Sequence, residues 1–140
     1  MRTLWLRDRA LDLDRVRLLG ALNLTPDSFS DGGRYLDPER ALERAREMVA
    51  EGADILDLGA ESTRPGAAPV PVEEEKRRLL PVLEAVLSLG VPVSVDTRKP
   101  EVAEEALKLG AHLLNDVTGL RDERMVALAA RHGVAAVVMH

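Results

Sequence analysis

The sequence predicts an α/β protein of the (β/α)8 (TIM) barrel type, of which this chain supplies about five strands and four helices. Five short segments are nearly continuous in apolar residues, as are strands of a parallel sheet that is covered on both faces. Segments with helical patterning alternate with them, and each predicted helix is followed by a glycine and then by the next strand. Each apolar segment also leads into a polar residue at the strand end where α/β proteins build their sites.

The strands are predicted in a regular order. The segments TLWL and LDLD indicate a short antiparallel hairpin ahead of the repeat. The parallel strands are then predicted in LLGALN, DILDLGAE, VPVSVD, AHLLND and VAAVVMH, with polar end residues Asn23, Glu61, Asp96, Asn115 and His140.

Four helices are predicted between these strands. The first has Asp37 as its N-cap and Pro38 as its first helical residue, and Gly52 closes it. The other three are predicted over residues 72–89, 100–109 and 122–132, and each is also closed by a glycine. Because Pro81 lies inside the second helix, we expect a kink there.

Alternation along the strands predicts which residues face the inside of a barrel, because alternate residues of a strand share a face. Smaller and polar residues, together with Leu113, fall on one face: Ala21, Asn23, Asp57, Gly59, Glu61, Ser94, Asp96, Leu113, Asn115, Ala136, Val138 and His140. Large apolar residues fall on the other: Leu22, Leu24, Leu56, Leu58, Val93, Val95, Val137 and Met139. This division suits a closing barrel better than a doubly wound sheet, which needs large apolar groups on both faces.

The length of the chain, 140 residues, suits one domain with a core. A complete (β/α)8 barrel needs roughly 250 residues. We therefore expect residues 1–140 to form a single barrel domain that is incomplete at its C-terminus and leaves unpaired strand edges. This segment alone is then expected to be inactive.

Composition excludes several classes of protein. The net charge of −5 leaves no basic surface for attracting nucleic acid, and the absence of cysteine excludes disulfides and thiolate metal sites. The N-terminal residues contain no long apolar stretch, which argues against a signal peptide or a membrane span. We expect a cytoplasmic protein that binds small molecules.

Two long loops follow the first two strands of the repeat. Residues 21–33, ALNLTPDSFSDGG, form a long connection after Asn23, and long connections are often functional; a plain surface loop in which Asn23 caps the strand end is the alternative. Residues 59–71 present Thr63 and Arg64 on a proline-rich loop, where Pro65 restricts the backbone of Arg64. An arginine held at the mouth of a barrel suits a bidentate grip on phosphate, and a solvated arginine is the alternative.

Two further segments, VSVDTRKP and LLNDVTG, place polar side chains on the inward face. Asp96 would be desolvated there and must find a donor or a cation, which an aminopyrimidine edge or a neighbouring structural group would supply. Asn115 carries both a donor and an acceptor, which suits reading the edge of a heterocycle. His140 is either a ligand contact or a terminal strand residue, and its role stays open.

These segments carry a resemblance to a known family. LNLTPDSFSDGG, GAESTRPGA, SVDTRKPEV and LLNDVTG, in this order and spacing, resemble the dihydropteroate synthases of folate biosynthesis. The resemblance implies a barrel transferase that condenses 6-hydroxymethyl-7,8-dihydropterin diphosphate with 4-aminobenzoate to give 7,8-dihydropteroate and diphosphate. It also implies Mg²⁺ as a cofactor, a homodimer, and competition by sulfonamides at the aminobenzoate site.

The resemblance assigns roles to five residues. Asn23 matches a metal-binding residue of the family, Thr63 and Arg64 match contacts to the diphosphate substrate, and Asp96 and Asn115 match contacts in the pterin pocket. Asp96 and Arg64 are the expected catalytic residues, because they would stabilise positive charge on the pterin and negative charge on the leaving diphosphate. The family's later pterin carboxylate, lysine, arginine and histidine have no counterpart within residues 1–140.

Two other functions remain open. A methyltetrahydrofolate-type methyltransferase shares the pterin-binding barrel, but it has no diphosphate to hold and so no need for LTPDSFSDGG or STRPG. A non-catalytic pterin-binding half-barrel is the other alternative. A reading frame that continues past His140 with a lysine and an Arg-x-His sequence at later strand ends would favour the synthase.

Overall fold

The computed structural model describes residues 3–6, 9–12, 14, 16–24, 38–60, 70–116 and 123–138. The two long loops fall mostly outside these ranges. Glu61, Thr63, Arg64 and His140 therefore lie outside the described residues.

An antiparallel hairpin opens the chain, as the sequence predicts. Its strands are β1, Thr3–Leu6, and β2, Arg9–Asp12. The second strand begins earlier than the predicted LDLD segment, because all four of its residues pair with β1, from Leu6 opposite Arg9 to Thr3 opposite Asp12.

A five-stranded parallel sheet follows, and its strands lie side by side in chain order. They are β3, Leu19–Asn23; β4, Ile55–Gly59; β5, Val93–Asp96; β6, Leu113–Asp116; and β7, Ala135–Val138. Each consecutive pair is parallel and joined through a helix, which confirms the predicted βα repeat. Among the described residues β3 and β7 are the edge strands of the sheet.

The four connecting helices match the prediction closely. They are α1, Pro38–Ala50; α2, Val72–Leu87; α3, Pro100–Leu109; and α4, Glu123–His132. The glycine after each helix has a positive φ angle, for example 123° at Gly110, whose N–H donates to the carbonyl groups of Ala106 and Leu107. A side chain would be strained in that conformation, which is why glycine ends these helices.

Helix α2 differs from the prediction in one respect. It ends at Leu87 rather than Leu89, because both the N–H and the hydroxyl group of Ser88 donate to the carbonyl oxygen of Ala85 and close the last turn. The helix continues through Pro81 as one element, so the proline does not end it. The bend expected at Pro81 stays a prediction.

The hydrophobic core lies between the sheet and the helices. The large apolar residues predicted on the outer face of the first three parallel strands are all buried there: Leu22, Leu24, Leu56, Leu58, Val93 and Val95. They pack against helix residues that include Leu79, Leu83, Leu107 and Met125. The parity prediction is therefore confirmed for these strands.

The last strand contradicts the parity prediction. Val137, rather than Val138, is opposite Asn115, and Val138 is opposite Asp116. Partners in a parallel ladder share a face, so the alternation assigned to VAAVVMH is one residue out of step with the sheet. The segment is uniformly apolar before His140, so its own residues carry no signal that distinguishes the two faces.

Within the part of the chain that the structure describes, no helix is both long enough and apolar enough to cross a membrane.

Candidate functional site

Two rows of residues cross the inner face of the sheet, the face away from the helices. The lower row is Ala21, Asp57, Ser94, Leu113 and Ala135, in register across the five strands. The upper row is Asn23, Gly59, Asp96, Asn115 and Val137, at the carboxyl ends of the strands. Polar residues from four strands are thereby collected on one face.

Asp96 and Asn115 are adjacent in the upper row. They are direct register partners on β5 and β6, and both are half-buried. The N–H of Thr97 donates to the Asn115 carbonyl oxygen at 3.1 Å, which holds the two strand ends together. The structure therefore brings together the two residues predicted to contact the substrate heterocycle.

Gly59 leaves room beside Asp96. A Cβ atom built at Gly59 would lie 3.4 Å from the Cβ and Oδ2 atoms of Asp96, so a larger side chain would cover this carboxylate. Asn23 is opposite Gly59 on the edge strand and is exposed. The amide of Asn23 and the carboxylate of Asp96 thus lie in the same row, two strands apart.

Asp57 is the buried acidic residue in the floor of the site. Its side chain is 6% exposed, and its Oδ2 atom accepts a hydrogen bond from Nδ2 of Asn115 at 3.4 Å. Burial raises the pKa of the Asp57 carboxyl above its ordinary value, while the side chains of Ser94 and Asn115 act in the opposite direction. Ser94 Oγ has no hydrogen-bond partner among the described residues, so the Asn115 amide is the better defined donor to Asp57.

Three polar atoms of this floor are buried without a hydrogen-bond partner among the described residues. They are Asp57 Oδ1, Ser94 Oγ and Asn115 Oδ1. Buried polar atoms are normally paired, and each exception calls for an explanation such as water or a ligand. Two of the three are pure acceptors, so the floor is suited to a ligand edge that carries N–H donors.

A second polar cluster braces the strand end that carries Asp96. Glu75, in the first turn of α2, is 1% exposed. It accepts a hydrogen bond from Thr97 Oγ1 at 2.5 Å and one from Lys99 Nζ at 2.7 Å. Thr97 Oγ1 in turn accepts from the backbone N–H of Lys99 at 3.2 Å. We call Glu75, Thr97 and Lys99 the Glu75 cluster.

Helix α2 also holds the end of β4. Arg78 donates through Nη1 to the Ala60 carbonyl oxygen at 3.2 Å and through Nε to Glu74 at 3.0 Å. Ala60 immediately precedes the loop that contains Thr63 and Arg64. The first turns of α2 therefore anchor the strand ends from which two of the predicted site segments begin.

The predicted metal ligand fits only a particular kind of metal site. Among the described residues, no group of three or more His, Cys, Asp or Glu side chains lies close enough to hold a metal ion. Asn23 offers one neutral amide oxygen, which is a suitable ligand for Mg²⁺ when most of the other ligands are substrate oxygens and water. The exposure of Asn23 is compatible with such a shared site.

Sequence reasoning missed two residues of this region. The alternation of the strand places Asp57 on the same predicted inner face as Glu61. Because Asp57 lies in the middle of the strand rather than at its end, it was not among the predicted site residues. Glu75 belongs to the run EEE at the start of α2, and nothing in that run distinguishes it from the neighbouring glutamates. Only the packing of α2 against the end of β5 buries it.

The chain is similar to proteins of known function. The family model described as pterin binding enzyme matches residues 19–140. The dihydropteroate synthase of Bacillus subtilis is 50% identical over 129 residues, which are 91% of this chain and 45% of that protein.

Two solved structures of dihydropteroate synthase from Thermus thermophilus are also similar. The complex with 4-aminobenzoate has a TM-score of 0.85 and 88% identity, and the match covers 99% of this chain and 48% of that one. The complex with 6HMPPP has a TM-score of 0.84 and 87% identity, with 99% and 49% coverage. The similarity confirms the predicted barrel class, and the chain spans about half the length of these relatives.

Proposed function

The chain belongs to the pterin-binding enzyme family, and we propose that it acts as a dihydropteroate synthase. The reaction is the condensation of 6-hydroxymethyl-7,8-dihydropterin diphosphate with 4-aminobenzoate, which gives 7,8-dihydropteroate and diphosphate. Support comes from the relatives above, two of which were solved with 4-aminobenzoate and with 6HMPPP. Because the chain spans about half of each relative, the reaction is a proposal for the protein as a whole.

The observation that carries the proposal is the polar inner face around Asp96 and Asn115. These neighbours lie at the carboxyl ends of β5 and β6, and among the described residues one oxygen of Asn115 and one oxygen of Asp57 in the lower row are acceptors without a partner. The aminopyrimidine edge of a pterin offers several N–H donors at fixed spacing. A face that is rich in acceptors complements such an edge.

Asp96 is proposed to act on charge that develops in the reaction. The C–O bond to diphosphate breaks next to an electron-rich pterin, so positive charge grows on the pterin and negative charge on the leaving group. The half-burial of Asp96 supports this role, because a carboxylate that is partly shielded from water interacts more strongly with a nearby positive charge. Asn115 binds and orients the ring beside it.

The diphosphate end is assigned to Thr63, Arg64 and Asn23 by resemblance. Arg64 is proposed to grip the diphosphate oxygens and stabilise the leaving group, and Thr63 to bind beside it. Asn23 would supply one oxygen to Mg²⁺, which when bound neutralises part of the diphosphate charge. A homodimer and a cytoplasmic location are also proposed from the resemblance and from the sequence.

The test compares Asp96→Asn with the wild-type protein, both expressed from the complete reading frame. The wild type should convert pterin diphosphate and 4-aminobenzoate into dihydropteroate. Asp96→Asn keeps the shape but removes the charge, so kcat/KM for the pterin diphosphate should fall by an amount equivalent to about 2–4 kcal/mol of transition-state stabilisation.

A matched control is Glu101→Gln, which neutralises an exposed carboxylate on the nearby helix α3. It should leave kcat/KM almost unchanged. A loss of less than about threefold in Asp96→Asn, or an equal loss in Glu101→Gln, would show that Asp96 does not stabilise the transition state. Absence of dihydropteroate in the wild-type reaction would refute the synthase assignment.

A further inference from the structure

We infer that Asp57 is a positioning residue for Asn115. Its carboxylate holds the Asn115 carboxamide in one of two orientations, so that Oδ1 of Asn115 faces the barrel interior as an acceptor for a ligand N–H group. This inference rests on the proposed function for the identity of the ligand, a pterin, but the contact between the two residues stands without it.

The contact between Asp57 and Asn115 joins β4 and β6, which are not adjacent in the sheet. Asp57 lies on β4 in the lower row, and Asn115 lies on β6 in the upper row, with β5 between them. Asn115 Nδ2 donates to Asp57 Oδ2 at 3.4 Å. A carboxylate oxygen can only accept a hydrogen bond, so it pairs with the NH₂ group of the carboxamide. The carboxamide oxygen, Oδ1, then points away from Asp57.

The end that is turned away is buried and unpaired. Asn115 Oδ1 has no hydrogen-bond partner among the described residues, and neither has Asp57 Oδ1. An amide oxygen left in this state costs free energy unless a donor reaches it. The pairing of Nδ2 to Asp57 thus leaves one acceptor of defined orientation ready for a ligand.

A purely structural role does not account for a carboxylate at this position. Asp57 is buried beside Ser94, with only part of its hydrogen-bonding capacity used. Buried carboxylates with few partners destabilise a fold relative to apolar residues of similar volume. The Asp57 carboxylate, however, accepts a hydrogen bond from Nδ2 of Asn115 and would not pair with Oδ1. An apolar side chain could not fix the orientation of the carboxamide in this way.

Two substitutions of Asp57 distinguish a residue that orients Asn115 from one that contacts the ligand directly. Asp57→Val keeps a similar volume and removes the acceptor, so Nδ2 of Asn115 loses its partner in the ligand-binding orientation. Binding of 6-hydroxymethylpterin, which carries no diphosphate, should weaken at least about tenfold, equivalent to ~1.4 kcal/mol. Asp57→Asn can still accept through its amide oxygen and should stay within about threefold of the wild type.

A double-mutant cycle tests whether Asp57 acts through Asn115. Asn115→Ala removes the side chain that Asp57 is inferred to orient. In that background Asp57→Val should cause no further loss of pterin affinity, because there is no carboxamide left to position. Affinities would be measured by calorimetry on proteins expressed from the complete reading frame, with folding checked by thermal unfolding.

Val86→Ala provides a control for lost stability, since Val86 is buried near the C-terminus of α2, away from the inner face. It should destabilise the protein without changing pterin affinity. Additive losses in the cycle, or equal losses in Asp57→Asn and Asp57→Val, would overturn positioning in favour of direct contact between Asp57 and the ligand. An Asp57→Val protein with wild-type affinity would overturn it outright.

A measurement without ligand keeps this inference distinct from the proposed function. The two Nδ2 protons of Asn115, assigned in NMR spectra through Asn115→Ala, should be protected from exchange in the wild type and lose protection in Asp57→Val. If the wild type binds no pterin but shows this pattern, the proposed function fails and positioning stands. If protection is the same in both proteins, positioning fails.

Discussion

Glu75 is expected to stabilise the end of β5 through the Glu75 cluster, and Glu75→Ala tests this contribution. The side chain is 1% exposed and accepts hydrogen bonds from both Thr97 and Lys99. Its removal deprives a buried hydroxyl group of its acceptor and removes one ion-pair partner of the Lys99 ammonium group. The cluster adjoins Asp96, so its loss loosens the strand end that carries a proposed catalytic residue.

The magnitude follows from the two bonds and from the exposure of their donors. A hydrogen bond to a charged group contributes about 1.5–3 kcal/mol, and breaking a buried ion pair costs about 3–5 kcal/mol. The Lys99 side chain is 17% exposed, so its ammonium can recover some hydration after the change. We therefore expect Glu75→Ala to lower the free energy of unfolding by about 3 kcal/mol.

Glu75→Gln should cost less, about 1–2 kcal/mol, because the amide oxygen can still accept from Lys99 while the NH₂ group donates to the Thr97 hydroxyl. The matched control is Glu73→Ala. Glu73 lies in the same first helical turn and is 89% exposed, and among the described residues it forms a 3.9 Å ion pair with Lys76. Both alanine variants lose a similar interaction with the helix dipole, so their difference isolates the cluster.

Urea denaturation of the protein expressed from the complete reading frame provides the measurement. Thermal unfolding should show a matching decrease in Tm of about 5 °C for Glu75→Ala, in a protein about twice the length of this chain. Glu73→Ala should lie within about 0.5 kcal/mol of the wild type. A loss below about 1 kcal/mol in Glu75→Ala, or one equal to that of Glu73→Ala, would refute a stabilising cluster.

Two further predictions concern pH and metal. Because burial raises the pKa of Asp57 above 3.8, the folded protein binds this proton more strongly than the unfolded chain, and the free energy of unfolding should fall as pH rises from about 3.8 through the folded pKa. In Asp57→Asn this contribution to the decrease in the free energy of unfolding should be absent. If the free energy of unfolding has the same pH dependence in both proteins, the pKa of Asp57 is not raised by burial. Mg²⁺ should bind calorimetrically only with diphosphate present, more weakly in Asn23→Ala, because one neutral amide oxygen cannot hold the ion alone. Tight binding of Mg²⁺ to the free protein would argue against a shared site.

The order and type of the elements could be predicted from local chemistry. Pro100 begins α3 and Gly110 follows its end, as predicted, because proline suits a first helical turn and glycine tolerates the positive φ angle after a helix. Parity placed Asp96 and Asn115 on one face for an equally local reason, the two-residue period of a strand. The same reasoning was wrong for β7, since register across strands depends on the neighbouring strand.

The sequence by itself determined the βα repeat, the buried outer face and the motifs that identify the family, because each of these depends on residues close together in the chain. Only the tertiary structure decided which polar groups meet. Asp57 and Asn115 are separated by 58 residues, and Glu75 and Thr97 by 22. Whether such a carboxylate is solvated or buried against a donor depends on how strands and helices pack. The local pattern of a helix turn or a strand does not contain that information.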